Sequence, residues 1–176
     1  MRIIDAHNHP DWPGHNLERY LQNVDEHGIE RTWLLSWESP ADERAPERFV
    51  LGYAPDPRRP DALDRLDAAI EIYGVRVCGE LKLRMMLDNP DALRMFRHCG
   101  ERGLPVTVHI DYEFDTGRKY PRPNWWYGGG IEAFERAVAA CPETMFIGHA
   151  PGFWAHISAD GKHSETPYPN GPVVRG

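Results

Sequence analysis

Residues 75–83, VRVCGELKL, decide the fold class because the two faces of this stretch differ in character. Successive side chains of an extended strand point to opposite sides. One face therefore consists of Val75, Val77, Gly79, Leu81 and Leu83, and the other of Arg76, Cys78, Glu80 and Lys82. A strand covered by helices on both sides should be apolar on both faces. Ionisable groups late in the strand instead favour a TIM-type (β/α) barrel, whose active site forms at the C-terminal ends of the strands.

Residues 104–111 repeat this pattern, since Thr107, His109 and Asp111 share the face opposite the apolar side chains. Across the chain, short apolar runs alternate with helical stripes, which predicts βαβ units and a parallel sheet. The predicted strands are residues 2–9, 29–36, 49–54, 75–83, 104–111 and 145–149, and the predicted helices are residues 17–28, 60–73, 89–103 and 131–141. The residues after 149 are predicted to be loop.

The length of the chain limits how much of a barrel it can form. Its 176 residues suit one domain, residues 1–176, but fall short of the roughly 250 residues of a complete (β/α)₈ barrel. We therefore expect an incomplete barrel of about six βα units that lacks its C-terminal units.

Composition narrows the functional classes. The formal charge of −7 argues against a nucleic-acid partner. No apolar stretch reaches membrane-spanning length and the start lacks the features of a signal peptide, which predicts a cytoplasmic protein without a membrane partner. The widely spaced Cys78, Cys99 and Cys141 form no CxxC pair and are predicted to be reduced and buried.

The first predicted strand ends in a pair of histidines. Residues 2–9, RIIDAHNH, are predicted to form a short buried strand, and His7 and His9 should point to the same side because one residue separates them. Two imidazoles at this spacing can bind one ion, with nitrogen–metal bonds of about 2.1 Å. Asp5 lies one step deeper on the same face, where a carboxylate can orient a ligand histidine.

Three further strands place a potential ligand near their C-terminal ends. These residues are Glu80 in the fourth strand, His109 in the fifth and His149 in the sixth. Each alone has an ordinary interpretation, such as a hydrogen-bonded structural histidine, or an ion pair of Glu80 with Arg76 or Lys82. Because the C-terminal ends of parallel barrel strands meet at one rim, the four strand ends together predict a metal site. The predicted ligands are His7, His9, Glu80, His109 and His149.

These motifs together resemble the amidohydrolase superfamily, most closely its amidohydrolase-2 branch of metal-dependent hydrolases and decarboxylases. The motifs are residues 5–9 (DAHNH), 79–82 (GELK), 106–109 (VTVH) and 147–149 (IGH). The resemblance spans nearly the whole chain and implies a TIM-type barrel with one or two divalent ions at its rim. It further implies that Glu80 occupies the position that bridges the ions in binuclear members. His149 would be a ligand in the binuclear arrangement, or the catalytic histidine of some mononuclear members.

The resemblance also implies a residue that is not found at the expected place. Family members carry an aspartate at the end of the eighth strand, which binds metal and handles the proton of the attacking water. This sequence ends at Gly176, soon after the sixth strand, and the loop context of Asp160 does not support it as a substitute. We therefore expect a fragment, a truncated product, or a barrel completed by another polypeptide. The expected partners besides the substrate are a further copy in a homo-oligomer or that completing polypeptide.

The expected function is that of an enzyme, a metal-dependent hydrolase of the amidohydrolase type. A bound divalent ion lowers the pKa of water towards ~7, which suits hydrolysis of a C–N, C–O or lactone bond in a small-molecule substrate. Zinc is the first expectation for the ion, and manganese, iron and nickel accept the same ligands. Trp12 and Trp154, in predicted loops, and Lys82 are candidate substrate-binding residues.

Three alternatives stay open at this stage. One is decarboxylation of a small carboxylic acid at the same type of site. Another is a TatD-like nuclease, which shares the paired histidines and the strand-four glutamate, although the acidic charge counts against it. The last is a truncated relative that binds metal without catalysis.

Overall fold

The computed structural model describes residues 2–9, 16–36, 46–82, 84–114 and 128–173. The chain forms two compact units, Met1–Glu80 and Leu81–Gly176, and in both of them parallel strands alternate with helices. The predicted α/β class is therefore confirmed. The organisation of residues 1–176 as one incomplete barrel domain stays a prediction.

The first unit contains a three-stranded parallel sheet of order β1-β2-β3. Its elements are β1 (Ile3–Asn8), α1 (Leu17–Glu26), β2 (Ile29–Ser36), a 3₁₀ turn (Pro46–Arg48), β3 (Phe49–Tyr53) and α2 (Ala62–Tyr73). The side chain of Asn16 caps α1 by accepting a hydrogen bond from the backbone N–H of Arg19 at 2.8 Å. Gly28 follows α1 with a φ of 64°, a conformation that glycine adopts without steric cost, and leads into β2.

Helix α1 packs its apolar side against this sheet. The buried cluster contains Tyr20, Val24, Leu34 and Phe49, with Leu21, Ile29 and Leu51 packed against it. Strand β1 differs from its prediction as a buried strand, because Ile3 and Ile4 are 37% and 59% exposed. The reason is its place at the end of the strand order β1-β2-β3, where it pairs with β2 on one side.

The second sheet has the order β4-β5-β6. Its strands and the accompanying helices are β4 (Cys78–Leu81), α3 (Pro90–Glu101), β5 (Val106–His109), α4 (Gly130–Ala140), β6 (Phe146–His149) and α5 (Pro151–His156). Asn89 caps α3 by accepting a hydrogen bond from the backbone N–H of Asp91 at 2.9 Å, and Pro90 takes the first helical position. Strands β5 and β6 run parallel with His109 opposite His149.

Aromatic rings fill the core of the second unit. Phe146 of β6 lies edge-on to Phe96 of α3 and to Phe134 of α4, with ring centroids 5.1 and 5.7 Å apart. Phe134 also lies edge-on to Phe153 of α5 at 6.1 Å. This edge-to-face geometry is favoured between aromatic rings. The packing fixes β6, the strand that ends in His149.

The observed helices and strands follow the predicted order. They differ from the prediction in the lengths of several elements and in one additional helix, α5. The predicted strand at residues 75–83 is confined to Cys78–Leu81, and all four residues of that strand are buried. Residues 151–156, predicted as loop, form α5, which Pro151 starts as a first-turn proline. The three cysteines are buried and free, as predicted. Among the described residues, no helix has the length and apolar character needed to cross a membrane.

Candidate metal centre

The two histidines at the end of β1 lie side by side in the first unit. Their Nε2 atoms are 3.1 Å apart, and their rings are nearly perpendicular with centroids 4.9 Å apart. Nδ1 of His9 lies 3.0 Å from the carbonyl oxygen of Leu35, at the end of β2. His7 and His9 thus point to the same side, as the strand alternation predicts.

Glu80, in β4, brings a carboxylate to this pair. Its side chain is almost fully buried, with Oε1 3.6 Å from Nε2 of His7 and Oε2 3.3 Å from Nε2 of His9. These contacts join the carboxylate of Glu80 to both histidines. Three of the five predicted ligands therefore meet within the first unit.

The chemistry of this group fits a cation between the side chains. A carbonyl oxygen only accepts hydrogen bonds, so Nδ1 of His9 carries a proton where it faces Leu35. A neutral His9 then has its lone pair at Nε2, 3.3 Å from a carboxylate oxygen of Glu80. Two such electron-rich atoms repel one another unless a proton or a metal ion lies between them. Imidazole nitrogen together with carboxylate oxygen suits zinc and other first-row divalent ions.

Asp5 acts on the main chain beside the histidines. Its Oδ1 accepts a hydrogen bond from the backbone N–H of His7 at 3.1 Å. The predicted role of Asp5 is to orient an imidazole. The pairing register of β1 with β2 shifts between Asp5 and Asn8, so strand alternation does not extend from Asp5 to the histidine pair.

His109 and His149 come together in the second unit. They are opposite one another in the β5–β6 pairing, and their ring centroids are 5.5 Å apart. Oδ1 of the buried Asp111 lies 2.8 Å from Nε2 of His109, the arrangement by which a carboxylate orients a ligand histidine. Asp111 is absent from the predicted site, although its position two residues after His109 on the same strand face was a usable signal.

Trp154 lies edge-on to the ring of His149, with centroids 5.1 Å apart. It belongs to α5 rather than to a loop as predicted. The ring of Tyr168 lies 6.1 Å from that of Trp154, and both side chains are partly exposed to solvent. An aromatic surface, formed by Trp154 and Tyr168, therefore adjoins His149.

Three residues considered in the sequence analysis remain, namely Trp12, Lys82 and Asp160. Trp12 lies outside the described residues, and Lys82 is exposed just after β4. The carboxylate of Asp160 accepts hydrogen bonds from the backbone N–H groups of Lys162 at 3.1 Å and Gly171 at 3.0 Å. Asp160 thus stabilises its own loop.

This chain is similar in structure to several known proteins. No protein-family model matches the sequence, and no curated protein matches it. A provisionally assigned amidohydrolase from Staphylococcus aureus aligns with a TM-score of 0.57 and 14% identity, over 91% of this chain and 72% of that protein. A 2,6-dihydroxybenzoate decarboxylase from Rhizobium aligns with a TM-score of 0.53 and 17% identity, over 99% of this chain and 76% of that protein.

A third structure carries a metal. It is a dihydroxybenzoic acid decarboxylase from Polaromonas sp. JS666 with bound manganese and the inhibitor 2-nitroresorcinol. It aligns with a TM-score of 0.54 and 15% identity, over 99% of this chain and 74% of that protein. At such identities these likenesses concern the fold. They show that the fold of this chain is similar to the fold of these three proteins, and the amidohydrolase-2 resemblance stays a prediction.

Proposed function

We propose that this chain carries the metal site of an amidohydrolase-type enzyme that hydrolyses a C–N, C–O or lactone bond of a small molecule. The observation that supports this proposal is the convergence of His7, His9 and Glu80, whose nitrogen and oxygen atoms approach to between 3.1 and 3.6 Å. Burying a carboxylate is costly unless a partner compensates its charge. A divalent ion is the partner that this donor set accommodates best.

We further propose that His109 and His149 are metal ligands, with His149 a ligand in a binuclear site, as the family resemblance implies. The proposal rests on the family resemblance and on the register that brings both rings to the ends of β5 and β6. In a mononuclear site His149 would instead be the proton carrier, since an imidazole that is not bound to metal accepts and donates protons near neutral pH. Asp111 would hold His109 in one orientation through the contact at Nε2.

A bound divalent ion would supply Lewis acidity, which lowers the pKa of water towards ~7 and polarises a carbonyl group. The roles of the chain's own residues follow from their positions. The aromatic surface of Trp154 and Tyr168 would bind a planar part of the substrate. Lys82 and Trp12 remain proposed substrate contacts, by their places after β4 and β1.

The test of the site is metal content. Wild-type protein loaded with zinc or manganese and freed of excess ion should retain it stoichiometrically, whereas the His7→Ala/His9→Ala variant should retain almost none. The exposed His27 at the end of α1 provides the control, and His27→Ala should bind metal like the wild type. Circular dichroism would check that each variant is folded. Stoichiometric metal in the double variant would overturn the assignment.

A second candidate reaction, decarboxylation of an aromatic acid, is favoured by the structural neighbours. Two of the three neighbours described above are dihydroxybenzoate decarboxylases, one of them with manganese. The two reactions are separated by their products. Release of CO₂ from 2,6-dihydroxybenzoate, lost on chelation and restored by metal, would favour decarboxylation over hydrolysis. Turnover of a lactone or amide panel with the same metal dependence would favour hydrolysis, and bound metal without either activity would favour the non-catalytic alternative.

A further inference from the structure

The carboxylate of Asp5 is the centre of a hydrogen-bond network behind the histidine pair. Oδ1 accepts the backbone N–H of His7 at 3.1 Å. Oδ2 accepts the side-chain amide of Asn8 at 3.1 Å and the hydroxyl of Tyr20 at 3.2 Å. One carboxylate therefore connects the first histidine with a neighbouring side chain and with helix α1.

Asn8 extends the network to the second histidine. Its Oδ1 accepts the backbone N–H of His9 at 2.9 Å, while its Nδ2 donates to Asp5. The main-chain N–H group of His7 is thus hydrogen-bonded directly to the Asp5 carboxylate. The main-chain N–H group of His9 is linked to the same carboxylate through the side chain of Asn8. The positions of the two imidazoles depend on these main-chain positions.

Tyr20 holds the other side of the carboxylate. It projects from α1 and is almost fully buried, with its ring stacked on Phe49 at 6.2 Å. Its hydroxyl lies 2.6 Å from Oγ1 of the buried Thr32 and has a single proton to donate. An ionised carboxylate only accepts, so the consistent assignment has Tyr20 donating to Asp5 and Thr32 donating to Tyr20.

The network lies where the regular sheet pairing is interrupted. Asp5 pairs with Thr32 and Asn8 pairs with Leu34, so three steps along β1 match two steps along β2. Such a bulge leaves residues between these pairs outside the regular ladder of hydrogen bonds. His7 lies in this interval, so its position has to be held by other contacts.

We propose that Tyr20 and Asn8 are positioning residues that act through Asp5 to keep His7 and His9 in a metal-binding arrangement. This inference rests on the proposed function, because it takes the two histidines as ligands. Partners that orient metal ligands typically contribute 10–100-fold to metal affinity. Neither Tyr20 nor Asn8 would touch the ion itself.

The test compares three variants in a competition titration of zinc against a chromophoric chelator. Tyr20→Phe keeps the ring packing and removes the hydroxyl, and Asn8→Ala breaks the link to His9. Each should weaken zinc binding by about 10-fold or more. Thr32→Val is the matched control. It removes the hydrogen bond that Thr32 donates to the Tyr20 hydroxyl, but it leaves the hydrogen bond that Tyr20 donates to Asp5. Its zinc affinity should stay within about twofold of the wild type.

The visible spectrum of cobalt-substituted protein reports the arrangement of the ligands around the ion. A loss of stability alone would not change this spectrum. Tyr20→Phe and Asn8→Ala should change the ligand-field bands, whereas Thr32→Val should leave them unchanged. Wild-type affinity and spectrum in both folded variants would overturn the positioning role, and so would an equal effect of Thr32→Val. A wild-type protein that binds no metal would instead overturn the proposed function and this inference with it.

Discussion

The most informative single side chain is Glu80. The residue is 2% exposed and its carboxylate faces two imidazoles, in a region where an uncompensated charge would destabilise the fold. Replacing one member of a buried charged pair is usually more destabilising than replacing both members, because the remaining group is left without a partner. The proposed divalent ion would compensate the charge of Glu80 and would bind all three side chains together.

Tyr20 offers a test at the same scale. Burial raises the pKa of its phenol from 10.0 to about 12. A folded-state pKa above the unfolded value means that this group stabilises the fold below pH ~10 and that the contribution is lost as the pH rises towards 12. In ultraviolet titration near pH ~11, folded wild type and Tyr20→Phe should therefore show nearly equal phenolate absorbance.

In denaturant the same two proteins should differ by one phenolate of the seven tyrosines in the chain. An excess of one phenolate in the folded wild type near pH ~11 would contradict the prediction, because it would mean that Tyr20 ionises normally. It would also weaken the assignment of Tyr20 as the hydrogen-bond donor to Asp5.

At the scale of elements, the ends of parallel strands bring the polar groups together. The β5–β6 register sets His109 opposite His149, and α5 starts immediately after β6. The backbone N–H of Gly152 in α5 donates to the carbonyl of Ile110 at 2.8 Å. This contact holds α5, and Trp154 with it, close to the end of β5.

Gly152→Ala tests this close approach. A Cβ atom there would lie 2.4 Å from the carbonyl oxygen of Asp111 and 2.7 Å from that of Ile110, and backbone atoms cannot rotate away. We expect the substitution to lower the free energy of unfolding by about 3 kcal/mol, measured by urea denaturation.

Gly161→Ala is the matched control, because a Cβ atom there meets nothing within 4 Å although φ is +70°. The backbone conformation alone should cost about 1–2 kcal/mol. Equal losses in the two variants would show that the approach of α5 to β5 is not tight in solution.

At the scale of the whole molecule, metal binding should appear as added stability. A ligand that binds only the folded state raises the free energy of unfolding by about 2.7 kcal/mol when its concentration is 100 times its dissociation constant. For a chain of this size, this corresponds to a rise in Tm of about 5–10 °C. Thermal unfolding with and without zinc or manganese measures the rise.

The His7→Ala/His9→Ala variant should show almost no rise, and His27→Ala should show the full one. An equal shift in the double variant would mean that the ions stabilise the protein from elsewhere on its surface. The comparison uses the intact chain, so it requires no assumption about the separate stability of the two compact units.

Local pattern in the sequence is enough to predict much of this protein. Strand β2 has the predicted bounds, Ile29–Ser36, and the predicted helical stripes correspond to α1 to α4. The spacing of His7 and His9 correctly predicts that they point to the same side. These features follow from periodicities of 2 and 3.6 residues, which depend on neighbours along the chain.

Tertiary structure alone decides which distant groups meet. The approach of Glu80 to His7 and His9 depends on how β4 is placed against β1. The link from Tyr20 to Asp5 depends on a bulge and on how α1 packs. Periodicity gives the face on which a side chain lies but carries no information about the element that face will meet. That choice depends on packing over the whole chain. The sequence therefore predicts the residue types of the proposed ligands but does not predict the contacts that support them.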